Sequence, residues 1–167
     1  MADNLNFEYG STEGQTNALM VAGTGSTITT TAIGTGVING KWTAQFAAQT
    51  NTATPTVDGT TGLAFLPMIA NTCCAIVFGI NMAGALMMCQ GPIVATSAGV
   101  TTTPGPILIA PQFPDLPNNM VPLAYTIVSV APSGAPWTPG TSSWTASGVT
   151  ATTFQNVTQL PNRPQIS

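Results

Sequence analysis

Residues 72–91 have the sequence TCCAIVFGINMAGALMMCQG, an uncharged run in which Asn81-Met82-Ala83-Gly84 separates two apolar halves. We predict a β-hairpin with strands at 72–80 and 85–91. Successive residues of a strand point to opposite faces, and both halves are apolar at successive positions, so both faces of each strand are expected to be buried. We expect a second sheet to cover one face and a neighbouring subunit to cover the other.

The wider apolar segment 62–89 has the length and hydropathy of a candidate membrane span. Pro67 and Asn81 are among the residues that break it into short pieces. The nearest basic residues, Lys41 and Arg163, are too distant to flank a span. The β-branched and aromatic residues around the segment favour strands. A buried hairpin is therefore predicted in preference to a membrane span.

Outside this hairpin the sequence also predicts strands, and apolar residues do not recur at helical spacing over three turns. Asn39-Gly40 lies between two β-forming flanks, the pattern expected at a two-residue hairpin turn. Further strands are predicted at 26–33, 43–47, 107–109, 121–130 and 149–154, with loops at 50–61, 95–117 and 131–147. The chain is expected to be all-β, an antiparallel sandwich or barrel with long loops. Residues 1–24 are expected to form an extended N-terminal arm, and residues 25–167 a single β domain.

Charged residues make up only 4% of the 167 residues: two are basic, five are acidic, and there is no histidine. Two basic residues cannot form the basic patch that nucleic acid requires. The missing histidine excludes histidine-dependent catalysis and histidine–metal sites. We predict that the chain is not an enzyme and that it binds no cofactor, metal or nucleic acid. Because an uncharged surface gives little repulsion between molecules, much of it is expected to be buried against other copies or partners.

The cysteines Cys73, Cys74 and Cys89 are odd in number and two are adjacent, which is not typical of a secreted disulfide framework. Because adjacent strand residues point to opposite faces, Cys73 and Cys74 are not expected to face the core together. All three are interpreted as small buried apolar residues. A Cys74–Cys89 disulfide and a metal site are the alternatives.

Two pairs of residues are candidate functional groups. Asp58 and Asp115 are a candidate carboxylate pair for acid–base chemistry, but each lies in a loop rich in Pro and Gly, where Asp is common as a turn residue. Trp137 and Trp144 lie in one loop region and are candidates for an exposed platform that stacks on sugar rings. The other interpretation is that the two tryptophans cover sheet edges or the core of an interface.

Three segments of the C-terminal half carry a family resemblance. They are LPNNMVPLAY at 116–125, PWTPGT at 136–141 and GVTAT at 148–152, and the Ala83-Gly84 turn and Ile38-Asn39-Gly40-Lys41 fit the same order. Over roughly residues 26–163 the chain resembles β-rich structural proteins of tailed-bacteriophage virions, of the head decoration (cement) type. The matching motifs are turn and strand patterns and contain no chemical signature.

The resemblance implies a homotrimer on the capsid exterior that binds the major capsid protein across neighbouring subunits and stabilises the head. The N-terminal arm and the proline-rich loops are the expected capsid contacts, with segment 62–89 as the core. Since the N-terminus lacks the basic start and apolar stretch of a signal peptide, synthesis in the host cytoplasm is expected. Phage fibre components share such sequences, so the alternative is a fibre or adhesin module that binds host glycans through Trp137 and Trp144.

Overall fold

The computed structural model describes residues 12–165, which form twelve strands and no helix. All strand pairs are antiparallel, and the fold is all-β, as predicted. The strands are β1 (Glu13–Gly14), β2 (Met20–Ala22), β3 (Thr27–Thr30), β4 (Gly36–Ile38), β5 (Lys41–Trp42), β6 (Gln49–Ala53), β7 (Thr72–Ile80), β8 (Leu86–Gln90), β9 (Val94–Ala95), β10 (Val121–Val130), β11 (Val149–Ala151) and β12 (Gln155–Asn156).

The largest sheet is built on the two longest strands, β7 and β10. They run antiparallel from the Thr72–Val130 pair to the Ile80–Val121 pair. Strand order is β11-β10-β7-β8, with β12 also paired to β10 and β9 also paired to β7. Gly79 lets β10 approach β7 closely, because a Cβ there would collide with the carbonyl oxygen of Val121.

The predicted β7–β8 hairpin is confirmed. The Asn81 side chain closes its turn by accepting hydrogen bonds from the backbone N–H groups of Ala83 (2.9 Å) and Ala85 (3.0 Å). Gly84 takes a positive φ of 72° in the same turn. Within residues 12–165 no helix is long and apolar enough to cross a membrane.

One face of the large sheet packs on the two smaller sheets. Alternate β7 residues on this face, from Cys74 to Ile80, belong to one core cluster with Met20 of β2, Ile28 of β3 and Ile38 of β4. These partners come from the sheets β2-β3-β6 and β1-β4-β5. Two layers of sheet therefore enclose the main core, which is consistent with a sandwich.

The other face of the large sheet is covered by loops of the same chain. Val77, Cys89, Met120 and Tyr125 form a second core cluster on this side. Four of the five partly buried side chains that pack on it come from the proline-rich connection and the C-terminal segment: Phe113, Leu116, Val157 and Leu160. Both faces are buried as expected, but the cover expected from a neighbouring subunit is supplied by these loops.

The turn predicted at Asn39-Gly40 is confirmed. It joins β4 to β5, with Ile38 opposite Lys41. Both turn residues have positive φ, 50° for Asn39 and 75° for Gly40, the combination that a type I′ turn requires.

The predicted N-terminal arm is not supported where the chain is described. Residues 1–11 lie outside the described residues. Beyond them, β1 pairs with β4 and β2 pairs with β3. Ala18 and Met20 are fully buried, and the Asn156 side chain bonds both the N–H and the C=O of Met20. Residues 12–24 are therefore part of the β fold because a distant strand fixes their backbone.

Three strand predictions differ from the structure. Residues 43–47 make only an isolated bridge, Phe46 with Gly34, and the next strand is β6, which overlaps the loop predicted at 50–61. The segment 107–109 contributes a single bridge from Ile107. The strand predicted at 149–154 ends at Ala151 as β11, and the next strand, β12, begins beyond it at Gln155. β6 has the polar sequence QTNTA and mostly exposed side chains, so it carries no apolar alternation that reveals a strand.

Candidate functional site

Trp137 and Trp144 lie together, but in the core. Their ring centroids are 5.2 Å apart, and their exposed fractions are 1% and 3%. The Trp137 indole N–H donates to the Ser143 carbonyl (2.9 Å), and that of Trp144 donates to the Thr27 carbonyl (2.8 Å). Neither ring offers a face to a sugar. The prediction of an exposed glycan platform at this pair is therefore wrong.

The loop that contains the two tryptophans is folded onto the main core. Trp144 packs edge-on to Phe154 at 5.5 Å and tilted against Phe78 at 6.0 Å. Trp137 forms a backbone bridge with Met68. Because the surrounding residues are mostly Pro, Gly, Ser and Thr, composition predicted a surface loop. Composition does not reveal that the two tryptophans are buried. An indole is stable inside a core once its N–H donates to a backbone carbonyl.

The structure brings Asp58 and Asp115 to one groove with a volume of about 600 Å³. Asp58 is buried, and its Oδ1 accepts hydrogen bonds from the N–H groups of Thr60 (2.7 Å) and Thr61 (3.0 Å). Its Oδ2 accepts one from the N–H of Gln90 (2.9 Å). Asp115 is exposed, and its backbone carbonyl accepts the Thr60 hydroxyl.

These contacts give Asp58 a structural task. Both of its carboxylate oxygens are engaged by backbone donors, so it anchors the 58–61 turn against β8 and covers the edge of that strand. The backbone bond from Gly59 N–H to the Met88 carbonyl (2.8 Å) joins the same two segments. The groove therefore contains one exposed carboxylate, Asp115, whereas a glycosidase-type site needs two working carboxyl groups.

The three cysteines are free and buried. Cys73 and Cys74 point to opposite faces of β7, and both are fully buried because each face is covered. Cys74 Sγ lies 3.2 Å from Met68 Sδ, whereas Cys89 Sγ lies 3.4 Å from Met120 Sδ in the other cluster. The alternative of a Cys74–Cys89 disulfide is thus excluded by the sheet between them. No group of three or more potential metal-ligating side chains occurs in the described part of the chain.

Burial of these thiols gives a testable pH dependence. Burial raises the pKa of Cys74 from 9.0 to about 12, and it also raises the pKa values of Cys73 and Cys89. The unfolded chain then loses these protons at lower pH than the folded chain, so the free energy of unfolding should fall as pH rises from 9.0 towards 12. Each buried thiol contributes a slope of up to about 1.4 kcal/mol per pH unit.

Urea unfolding at a series of pH values across that window measures the slope. Cys74→Ala should decline less steeply than the wild type, whatever its stability at neutral pH. Equal slopes for the two proteins would contradict the assignment of a raised pKa to Cys74.

The described surface combines very few charges with many exposed apolar side chains. Residues 12–165 contain three acidic residues and two basic ones. The large hydrophobic side chains that are exposed are Leu19, Val21, Ile33, Trp42, Val57, Leu63, Leu66, Ile69, Met82, Val100, Leu108 and Ile109. Several of them lie in the loops at 63–69 and 100–109.

No protein-family model, no curated protein and no solved structure matches this chain.

Proposed function

We propose that the chain is a structural virion protein that decorates the capsid of a tailed phage. It forms a homotrimer, sits on the capsid exterior after synthesis in the host cytoplasm, and binds across neighbouring major capsid subunits. The observation that carries the proposal is that residues 12–165 expose twelve large hydrophobic side chains on a surface with few charges. Such a surface is suited to burial against other proteins. The sequence resemblance supplies the identity of the partner.

The proline-rich loops are the proposed capsid contacts. Val100, Leu108 and Ile109 all lie in the long connection between β9 and β10, and all three are exposed. Standard interfaces bury about 800 Å² on each partner. A contact of this kind that spans two capsid subunits adds attraction between them and so opposes the outward pressure of packaged DNA.

The glycan-binding alternative has no observation in its favour. It was assigned to Trp137 and Trp144, and both indoles are buried. The proposal of capsid decoration does not depend on either ring being accessible.

Binding to heads should depend little on salt. With so few charges to screen, the dissociation constant is expected to change by less than about threefold between low and moderate ionic strength. The measurement is the amount of purified protein bound by heads that lack it, which should saturate at a fixed ratio to the major capsid protein. A collapse of binding at moderate salt, or binding that never saturates, would contradict the proposal.

The double variant Leu108→Ser/Ile109→Ser tests the contact itself. Both side chains are exposed, so thermal unfolding should be unchanged while head binding falls at least tenfold. If this variant bound heads as tightly as the wild type does, the 100–109 loop would not be part of the interface.

A further inference from the structure

The segment 63–69, LAFLPMI, presents a ridge of three large side chains. Leu63, Leu66 and Ile69 have exposed fractions of 70%, 67% and 61%. Phe65 and Met68, which lie between them, are buried. Ala64 and Pro67 are exposed as well, so the two buried side chains hold the segment on the protein and leave these three large ones at its solvent surface. We call these three residues the ridge.

The ridge is held in place along its length. The Leu63 carbonyl accepts the Asp58 N–H (2.8 Å). The Gln90 side chain accepts the Leu66 N–H and donates to the Leu66 carbonyl, each at 2.9 Å. Met68 exchanges two backbone hydrogen bonds with Trp137, at 2.8 and 2.9 Å. A ridge fixed in this way loses little conformational freedom when it is bound, which favours its use as a contact.

The groove that contains Asp58 and Asp115 lies directly beside the ridge. Ala64, Phe65 and Leu66 belong to its wall, so the same segment forms both features. Its lining also includes the apolar residues Pro92, Ile93, Phe113 and Pro114. Its volume of about 600 Å³ is within the range of pockets that enclose a drug-sized ligand, so it has room for more than one leucine-sized side chain.

We propose that the ridge of one molecule docks in the groove of a second copy of this chain. A convex apolar surface and a concave one lie side by side on one molecule, and Asp115 is the one exposed charge on the groove lining. Two copies can therefore bring ridge to groove without placing like charges opposite each other at the centre of the contact. A contact between two different surfaces joins copies head to tail, and it closes into a ring when the rotation between copies permits. This inference specifies the self-association that is part of the proposed function.

The first test measures molar mass by light scattering and sedimentation over a range of concentrations. The wild type should be oligomeric, and Leu66→Ser should dissociate at concentrations at least tenfold higher than those that dissociate the wild type. The matched control is Val100→Ser, since Val100 is 78% exposed but lies outside the ridge and the groove. It should assemble as the wild type does. Both variants should retain wild-type thermal unfolding once they are monomeric.

The second test mixes the ridge variant Leu63→Ser/Ile69→Ser, whose two side chains are exposed and lie outside the groove lining, with a groove variant. Gln112 lines the groove and is exposed, so Gln112→Arg places a charge in the contact without removing a core side chain. At a concentration at which the wild type is oligomeric, each variant alone should be monomeric. Their mixture should contain a 1:1 dimer and nothing larger, because one intact ridge then meets one intact groove.

Three results would overturn the inference: a wild type that is monomeric at every soluble concentration, a Leu66→Ser variant that assembles as the wild type does, or a mixture that stays monomeric. A monomer that still saturates heads would overturn the ridge–groove contact and leave capsid decoration standing. An oligomer that depends on the ridge but does not bind heads would support the ridge–groove contact and overturn capsid decoration.

Discussion

Replacing Trp144 with alanine is expected to lower the free energy of unfolding by about 4 kcal/mol. The indole is 3% exposed, and its ring contacts Phe78, Trp137 and Phe154. The substitution removes these contacts and leaves a cavity between the large sheet and the 131–148 loop. It also leaves the Thr27 carbonyl without its indole donor. Urea unfolding, followed by circular dichroism, measures the loss.

Trp42→Ala is the matched control. Trp42 is 66% exposed, and its removal should change stability by less than about 0.5 kcal/mol. A glycan-binding role for Trp144 predicts the opposite pattern, in which the variant keeps its stability and loses a ligand. If Trp144→Ala were as stable as Trp42→Ala, the indole would not have the structural role assigned to it.

The sequence predicted the long central strands because nearly every position in them is apolar. The predicted bounds at 72–80 and 121–130 are those of β7 and β10. The turn at Asn39-Gly40 could also be predicted, since positive φ at two adjacent residues is a strictly local requirement. Where burial on both faces or a special dihedral angle decides the structure, local sequence contains the information.

The elements that were missed depend on partners far along the chain. Met20 is fixed by Asn156, which is 136 positions away, so the sequence around Met20 does not reveal its burial. β6 is held by hydroxyl groups of the neighbouring strand: Thr30 Oγ1 accepts from Gln49 N–H (3.0 Å), and Thr29 Oγ1 accepts from Asn51 N–H (3.1 Å). Polar edge strands of this kind produce no apolar period.

The candidate sites, like the strands, could be predicted from the sequence only in part. The suggestion that Asp58 and Asp115 lie near each other agrees with the structure, since both line one groove. Whether each carboxylate is free depends on backbone donors from Thr60, Thr61 and Gln90, which the sequence does not position. The ridge was also missed, because segment 62–89 was interpreted as core throughout while its first part exposes three large side chains.

Asp58→Ala is expected to lower the free energy of unfolding by about 3 kcal/mol, because three backbone N–H groups lose a charged acceptor. Asp58→Asn should cost less, about 1–2 kcal/mol, since it keeps an oxygen for Thr60 and Thr61 but turns a donor towards the N–H of Gln90. Urea unfolding of the two variants measures the difference. A graded loss is the signature of a buried acceptor that ties the 58–61 turn to β8.

Asp115→Ala is the control for charge and for the groove. Its side chain is exposed, and the carbonyl that receives the Thr60 hydroxyl belongs to the backbone and survives the substitution. Its stability should stay within about 0.5 kcal/mol of the wild type. Equal losses at the two aspartates would contradict the anchoring role, since only Asp58 contacts β8.

Because β8 and the Leu66 backbone share Gln90, loosening the turn should also weaken self-association through the ridge. A destabilised Asp58→Ala that assembles as tightly as the wild type would show that the ridge does not depend on this anchor.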